Sequence, residues 1–199
     1  MTQHDRRIDK TQKALKSALI KLMEEKDMRQ ITVTEIVKEA DVNRGTFYKH
    51  YEVKDDLLEA TIHEVIESLI QAYRHPYLNK ETFTMKDLSA SKIKLFEHVA
   101  ANADFYRVIM LHPSVLPGFQ NRLCEVLKKL SIQDLMFIHN MGTIDVDLQA
   151  SYQSHALFGM IFEWVKGGFK YTPEHMAQQL LEILSNQPFS SGYQTILNK

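Results

Sequence analysis

Two short amphipathic segments joined by a three-residue turn constrain the fold of this chain more than any other feature. The first begins with Thr32 and Glu35, whose spacing is that of a helix capping box. Asp41-Val42-Asn43 forms the turn, and Asn43 has a side chain suited to an N-cap. In the second segment Phe47 and Tyr51 lie four residues apart and should face inward. The pattern predicts two consecutive short helices.

Two helices joined in this way form a helix-turn-helix, whose second helix enters the major groove of DNA. Arg and Lys pair with phosphates or guanine edges, Thr and Tyr bring hydroxyls, and Gly lets a helix start approach DNA closely. The exposed face of the second helix carries these residue types at Arg44, Gly45, Thr46, Tyr48, Lys49 and His50. A charged, solvated helix face has the same composition, so spacing alone leaves both interpretations open.

The remainder of the chain also has helical periodicity. Seven Gly and five Pro in 199 residues favour long helices with short connections. We expect helices at about 9–26 and 54–74 around the two short ones, and then at about 86–101, 104–112, 117–140, 147–167 and 173–186. The sequence therefore predicts an all-α fold with about nine helices.

The charges are distributed unevenly along the chain. Residues 1–54 contain 12 Lys and Arg against 9 Asp and Glu, whereas residues 55–199 contain 12 against 16. A basic head on an acidic body fits DNA binding at one end. No run approaches about 18 apolar residues and the first ten residues are polar, so we expect no membrane partner and a cytoplasmic location.

Other kinds of site have little support in the sequence. The histidines have no i, i+4 pair and no cysteine at ligand spacing, so we expect no metal site and no cofactor. No nucleophile or phosphate-binding motif is present, and we expect the protein not to be an enzyme. The single Cys124 follows a helical apolar pattern and should be a buried thiol.

Residues 32–58 closely resemble the signature of the TetR family of transcriptional regulators. The resemblance is carried by Thr32 and Ile36 in the first short helix, by the segment Gly-Thr-Phe-Tyr-Lys-His-Tyr at 45–51, and by Lys54 with Leu57. Asp41 replaces the usual turn glycine, a change that Asp tolerates because it adopts left-handed backbone more readily than most residues. Val53 replaces the usual polar cap, which should leave the start of the next helix less well fixed.

The resemblance implies a helix-turn-helix DNA-binding domain at 8–68 and a helical regulatory and dimerisation domain at 76–199. It also implies a homodimer on a palindromic double-stranded operator, with base or phosphate contacts from residues of the two short helices and from the start of the long one. These residues are Thr34, Asn43, Arg44, Gly45, Thr46, Tyr48, Lys49, His50 and Lys54.

The body is rich in aromatic and Met side chains. These either fill an ordinary core or line an apolar pocket for a small inducer, for which the candidates are Phe96, Tyr106, Met110, Phe137, Phe158 and Phe162. In this family the last two long helices form the dimer interface, and apolar stripes for it are Phe158, Ile161, Phe162, Val165, Met176, Leu180, Leu181 and Leu184.

The last part of the body, from Gly159 to Glu174, loosely resembles a TetR subset that includes regulators of dihydroxyacetone kinase operons. We therefore expect a repressor released from its operator by a small apolar ligand. A regulator that answers to a protein partner, as an activator or co-activator, is the alternative.

Overall fold

The computed structural model describes residues 3–81, 88–112, 114–134 and 144–185, with side chains from residue 8 onward. Within these ranges the structure is helical and contains no strand, as the sequence predicts. The helices are α1 (Gln3–Glu25), α2 (Val33–Glu39), α3 (Arg44–Tyr48), α4 (Lys54–Arg74), α5 (Leu95–Ala101), α6 (Ala103–Leu111), α7 (Phe119–Asp134), α8 (Val146–Lys166) and α9 (Pro173–Ser185).

The first four helices pack around a small apolar core. Its fully buried side chains include Leu15 and Leu19 of α1, Ile36 of α2, Phe47 of α3 and Leu57 of α4. These positions fall on the apolar stripes that the helical periodicity indicates, because each helix buries one face and leaves the other solvated. We call the α1–α3 unit together with the start of α4 the head, and α5–α9 the body.

Helix α4 is continuous from the head into the body, with the bounds expected from the sequence. Its later buried residues, including Ile66 and Leu69, belong to the same core cluster as residues of α5, α6 and α8. One uninterrupted helix of 21 residues therefore joins the two parts of the molecule.

The predicted helix at 86–101 is wrong in its first half. Residues 86 and 87 lie outside the described residues, Ala90–Lys92 form a single 3-10 turn, and α5 begins only at Leu95. The helix is interrupted at Ile93, whose ψ of 89° is not helical and whose side chain is buried. Burial of an apolar side chain here overrides the local helical pattern.

The other expected helices lie close to their predicted positions, and their ends differ by a few residues. Helix α1 begins six residues earlier than expected, at Gln3. Helix α7 starts at Phe119 and is described to Asp134, so the rest of the predicted segment 117–140 lies outside the described residues. The body core contains the fully buried Phe96, Tyr106, Leu123 and Ile161.

Candidate nucleic-acid interface and ligand cavity

The start of α2 is fixed by the capping box that the sequence predicts. The Glu35 backbone N–H donates to the Thr32 hydroxyl oxygen at 3.2 Å, and the Thr32 N–H donates to the Glu35 carboxylate at 2.8 Å. Lys26 also pairs with this carboxylate. The hydrogen bonds from Lys26 and Thr32 lower the pKa of Glu35 to about 2. The box leaves Thr34 exposed on the first turn of α2.

The turn between α2 and α3 needs one residue in left-handed backbone, and Asp41 supplies it with a φ of 52°. The Val42 N–H then donates to the Val37 carbonyl at 3.0 Å, which ends α2. Asp is one of the few non-glycine residues that adopt this conformation at modest cost. The expectation that Asp41 tolerates left-handed backbone at this position is confirmed.

Helix α3 is only five residues long and is held at both sides. At its start the Asn43 side-chain oxygen accepts from the Thr46 N–H at 2.7 Å and from the Thr46 hydroxyl at 2.9 Å. On its inner side Phe47 is fully buried, in contact with the ring of Tyr51. Asn43 therefore caps the helix, as its residue type indicates, and the Thr46 hydroxyl proton is used within the helix.

The outer side of α3 presents Arg44, Gly45, Tyr48 and Lys49 to solvent. Tyr48 is 50% exposed, and its hydroxyl accepts from the Arg44 guanidinium at 3.4 Å. The same guanidinium lies 5.8 Å from the centre of the Tyr48 ring. The structure thus places these four residues on one side of a short, fixed helix, with His50 half-buried beside them.

Lys54, the first residue of α4, points into the protein. Its ammonium donates to the carbonyl oxygens of Met28, Arg29 and Ile31 at 2.7, 3.1 and 2.7 Å. These carbonyls belong to the loop between α1 and α2. This geometry gives Lys54 a structural role that sequence reasoning missed, and it does not favour the expected phosphate contact.

The start of α4 is better fixed than the sequence indicates. Val53 has no side chain to cap the helix, but the Asp56 carboxylate accepts from the N–H groups of Glu52 and Val53, both at 3.0 Å. A carboxylate at this end of a helix also interacts favourably with the helix dipole. The expectation of a loosely fixed helix start is therefore wrong.

A cavity of about 240 Å³ lies between α6, the first turn of α7, and α8. Of the predicted pocket residues, Met110, Phe158 and Phe162 line it. Phe96 and Tyr106 do not, because both are fully buried core side chains, and Phe137 lies outside the described residues. The cavity opens beside the exposed Gln120 and Asn121 at the start of α7.

Several predicted dimer-interface residues face the core of their own subunit. Ile161 and Val165 are buried, as are Phe158 and Met176, whereas Phe162, Leu180, Leu181 and Leu184 are half-buried. A side chain already enclosed by its own chain has little surface left to bury against a partner. The most exposed apolar side chains of α8 are instead Leu148 (71%) and Tyr152 (74%), one turn apart.

A polar cluster centred on the buried His98 joins α4, α5 and α6. His98 Nδ1 lies 2.6 Å from the Ser68 hydroxyl, and His98 Nε2 lies 2.9 Å from the Tyr106 hydroxyl. Burial lowers the pKa of His98 to about 4, so the ring is neutral near pH 7. No sequence signal predicts this cluster, because its residues come from three helices and have no characteristic spacing.

Two ionic contacts connect α4 with α7, and sequence reasoning missed both. Arg74 binds the Asp134 carboxylate through two N–H groups at 2.6 and 3.0 Å, which lowers the pKa of Asp134. Arg122 lies 3.4 Å from Glu59. Since the contacts join 59 to 122 and 74 to 134, α4 and α7 run in the same direction.

Family profiles match both parts of the chain. One described as "Bacterial regulatory proteins, tetR family" matches residues 15–61, and one described as "Transcriptional regulator C-terminal region" matches residues 86–186. The second match alone covers half of the chain. The chain belongs to the TetR family. The capped helices and the exposed α3 side chains described above are thus the helix-turn-helix of a TetR-family regulator.

A curated protein similar in sequence to this TetR-family chain is also named as a transcriptional regulator. A protein of Bacillus subtilis, "Uncharacterized HTH-type transcriptional regulator YxbF", is 26% identical over 178 residues. The match covers 88% of this chain but 45% of that protein, so the chain spans about half the length of this curated relative.

Solved structures of TetR-type regulators are similar over nearly the whole chain. A regulator from Streptococcus agalactiae has a TM-score of 0.54 at 26% identity, covering 91% of this chain and 97% of that one. The dihydroxyacetone kinase operon activator DhaS has a TM-score of 0.62 at 20% identity, with 89% and 95% covered. FadR from Bacillus subtilis, solved with stearoyl-CoA, has a TM-score of 0.56 at 21% identity, with 86% and 96% covered.

The part of the chain that the structure describes contains neither a candidate membrane span nor a candidate metal site. No helix there is long and apolar enough to cross a membrane. In the same ranges no group of three His, Cys, Asp or Glu side chains is arranged to hold a metal ion. Cys124 is buried, as its apolar pattern predicts.

Proposed function

We propose that the protein is a sequence-specific DNA-binding regulator whose α3 enters the major groove. The observation that carries the proposal is the exposed row of Arg44, Tyr48 and Lys49 on a helix whose other side is anchored by Phe47. An anchored helix presents its side chains in fixed positions, which base reading requires. Gly45 leaves room for close approach at the helix start, and Thr34 and His50 contact the flanking backbone.

The capping of α3 divides its polar residues by role. Asn43 and the Thr46 hydroxyl are hydrogen-bonded to each other, so Asn43 sets the direction of the helix and Thr46 offers chiefly its methyl group. Arg44 keeps most of its donors available, because its contact with Tyr48 uses one amino group. We assign base reading to Arg44, with Tyr48 supporting its guanidinium.

The outward face of α8 supports the proposal of a homodimer on a palindromic operator. Leu148 and Tyr152 lie on this face, and a groove of about 570 Å³ between α8 and α9 is lined by the exposed Ile183 together with charged side chains such as Glu163 and Lys166. Apolar side chains exposed in series mark a surface that another protein covers. The partner is a second copy of the chain, because two heads are needed to read the two halves of a palindrome.

The cavity beside α7 is the proposed inducer site. Cavities of about 150 Å³ hold a benzene ring and drug-sized ligands occupy roughly 300–1,000 Å³, so this site of about 240 Å³ has room for a compact molecule, whose apolar part would pack against Met110, Phe158 and Phe162. The stearoyl-CoA in the FadR structure is far larger than this. A polar group on the ligand would meet Gln120 or Asn121 at the opening.

Ligand binding in the cavity would release the protein from DNA by displacing α7, which in turn displaces α4 and the head. The first turn of α7 lines the cavity, and Arg122 follows it directly and pairs with Glu59 of α4. At the other end, Arg74 and Asp134 hold the two helices together. A ligand that displaces the start of α7 therefore shifts α4, which carries the head. The protein would then act as a repressor, because the ligand-bound dimer no longer spaces its heads to fit the operator.

The experiment that tests the proposal is selection of DNA from a random pool, followed by affinity measurements with Arg44→Ala. We expect the wild-type chain to select a palindrome. Arg44→Ala should lose discrimination at particular base pairs by roughly 1–3 kcal/mol if Arg44 reads a guanine. Lys129→Ala, an exposed change in the body, is the control. A pool with no enriched sequence would contradict the proposal.

A further inference from the structure

We infer that Lys54 positions the head without contacting DNA, and that Arg29, in the loop between α1 and α2, makes the phosphate contact expected at this end of α4. The inference rests on the proposed DNA binding. It adds a contact residue that the resemblance to the TetR signature does not place at the interface.

The three donors of the Lys54 ammonium all have acceptors. A lysine has three N–H bonds, and here they meet the carbonyl oxygens of Met28, Arg29 and Ile31 at 2.7–3.1 Å. Met28 and Ile31 are themselves buried. A phosphate could bind Lys54 only if at least one of these hydrogen bonds to the loop broke. Lys54 therefore ties the loop to the first residue of α4.

The surroundings of Lys54 also disfavour a phosphate at that point. Glu52 and Asp55 are exposed on either side of it, and Asp56 binds the backbone at the start of the helix. These carboxylates repel an approaching phosphate, and the Lys54 charge is directed away from solvent towards the loop. The cation that meets the DNA backbone here must come from a neighbouring segment.

Arg29 is that cation. Its side chain is exposed, and within the ranges that the structure describes no carboxylate pairs with its guanidinium. Its backbone is fixed on both sides, because its N–H donates to Asp27 Oδ1 at 2.9 Å and its carbonyl accepts from Lys54. The loop continues into Thr32, the cap of α2. Arg29 thus lies between the starts of α2 and α4, where its planar guanidinium suits a phosphate.

The test compares Arg29→Ala and Lys54→Met by the salt dependence of binding to a mixed-sequence duplex several helical turns long, and by thermal unfolding. Arg29→Ala should flatten the slope of log affinity against log salt by about 0.9 per half-site and leave Tm unchanged. Lys54→Met should lower Tm by several degrees and leave the slope unchanged. Lys54→Arg should recover most of the lost Tm, and Gln30→Ala in the same loop should change neither quantity.

The opposite assignment gives the opposite pattern. A flattened slope in Lys54→Met with an unchanged Tm would make Lys54 the phosphate contact and overturn the inference. An unchanged slope in Arg29→Ala would also overturn it, and this variant decides the matter even if Lys54→Met does not fold. Failure of the wild-type chain to bind any duplex would instead refute the proposed function, so the two failures are distinguishable.

Discussion

At the scale of single residues, His98 shows how a buried polar group links parts of the molecule. Its ring nitrogens reach Ser68 on α4 and Tyr106 on α6, and the side chain of Asn102 donates to its backbone carbonyl at 2.9 Å. A neutral imidazole has one donor and one acceptor, so it matches two hydroxyl groups without a formal charge. Protonation would leave a charge in an apolar surrounding.

We therefore predict that His98 makes the free energy of unfolding depend on pH in the acidic range. The unfolded chain binds a proton as the pH falls through about 6.5, but the folded chain does so only near 4. The contribution of His98 to the free energy of unfolding is fully present above pH 6.5. It is lost as the pH falls from 6.5 to 4, and the loss amounts to about 3 kcal/mol. Between pH 7 and pH 4.5, the free energy of unfolding measured in urea should fall by about 2–3 kcal/mol less for His98→Gln than for the wild type.

The exposed His63→Gln on α4 is the matched control for this change. It should retain the wild-type loss of stability on acidification, because this side chain is exposed and takes no part in the cluster around His98. Parallel acid profiles for wild type and His98→Gln would show that the buried ring does not control this part of the curve.

At the scale of helices, a better N-cap at the start of α4 should raise the stability of the protein. Val53 is in the N-cap position with extended backbone, φ −133° and ψ 166°, and its side chain is 51% exposed. We predict that Val53→Ser stabilises the protein by about 1 kcal/mol, since its hydroxyl can accept from the first free N–H groups of the helix. Urea unfolding would measure the gain as a higher free energy of unfolding with an unchanged m value. Val53→Ala, which adds no acceptor, should give none.

The pairing of α4 with α7 makes a second prediction at this scale. Arg122→Glu should weaken operator binding up to roughly fivefold, because an exposed ion pair contributes about 0.2–1 kcal/mol. Adding Glu59→Arg restores the pair with its charges exchanged and should recover most of the affinity. If the double variant binds no better than Arg122→Glu alone, Arg122 and Glu59 do not transmit the signal.

Sequence reasoning succeeded where the determining contacts are local. The capping box at Thr32, the left-handed Asp41 and the anchoring Phe47 depend on neighbours within a few residues, and all three are confirmed. It did not predict the hydrogen bonds of Lys54, whose carbonyl partners lie 23 to 26 residues away and depend on how the loop between α1 and α2 closes. Periodicity cannot show such a contact.

The outward face of α8 was missed for a different reason. An apolar stripe through Ile161 and Val165 is equally compatible with the subunit core and with a partner, and periodicity does not distinguish them. Leu148 and Tyr152, four residues apart, were the available signal for a second apolar face. The positions of most helices could be predicted, but the direction of each face required the packed structure.

At the scale of the whole molecule, the dimer prediction concerns this outward face. We expect Leu148→Glu with Tyr152→Glu to produce monomers with weak operator affinity, because one head reads only half of the palindrome. Glu67→Gln on α4 serves as a folded control. Light scattering at micromolar concentration would measure the change. A wild-type chain that is monomeric there would refute the dimer on this surface.

The continuity of α4 has a mechanical consequence. At about 1.5 Å per residue the 21 residues of α4 span roughly 31 Å. Arg74 holds one end of the helix to Asp134 of α7, and the head lies at the other end. A tilt of α4 by about 5° about Arg74 moves the other end of the helix, and the head with it, by roughly 3 Å. In the proposed mechanism, a shift of a few ångströms at this end of α4 is therefore enough to misalign the two heads of the dimer on the operator.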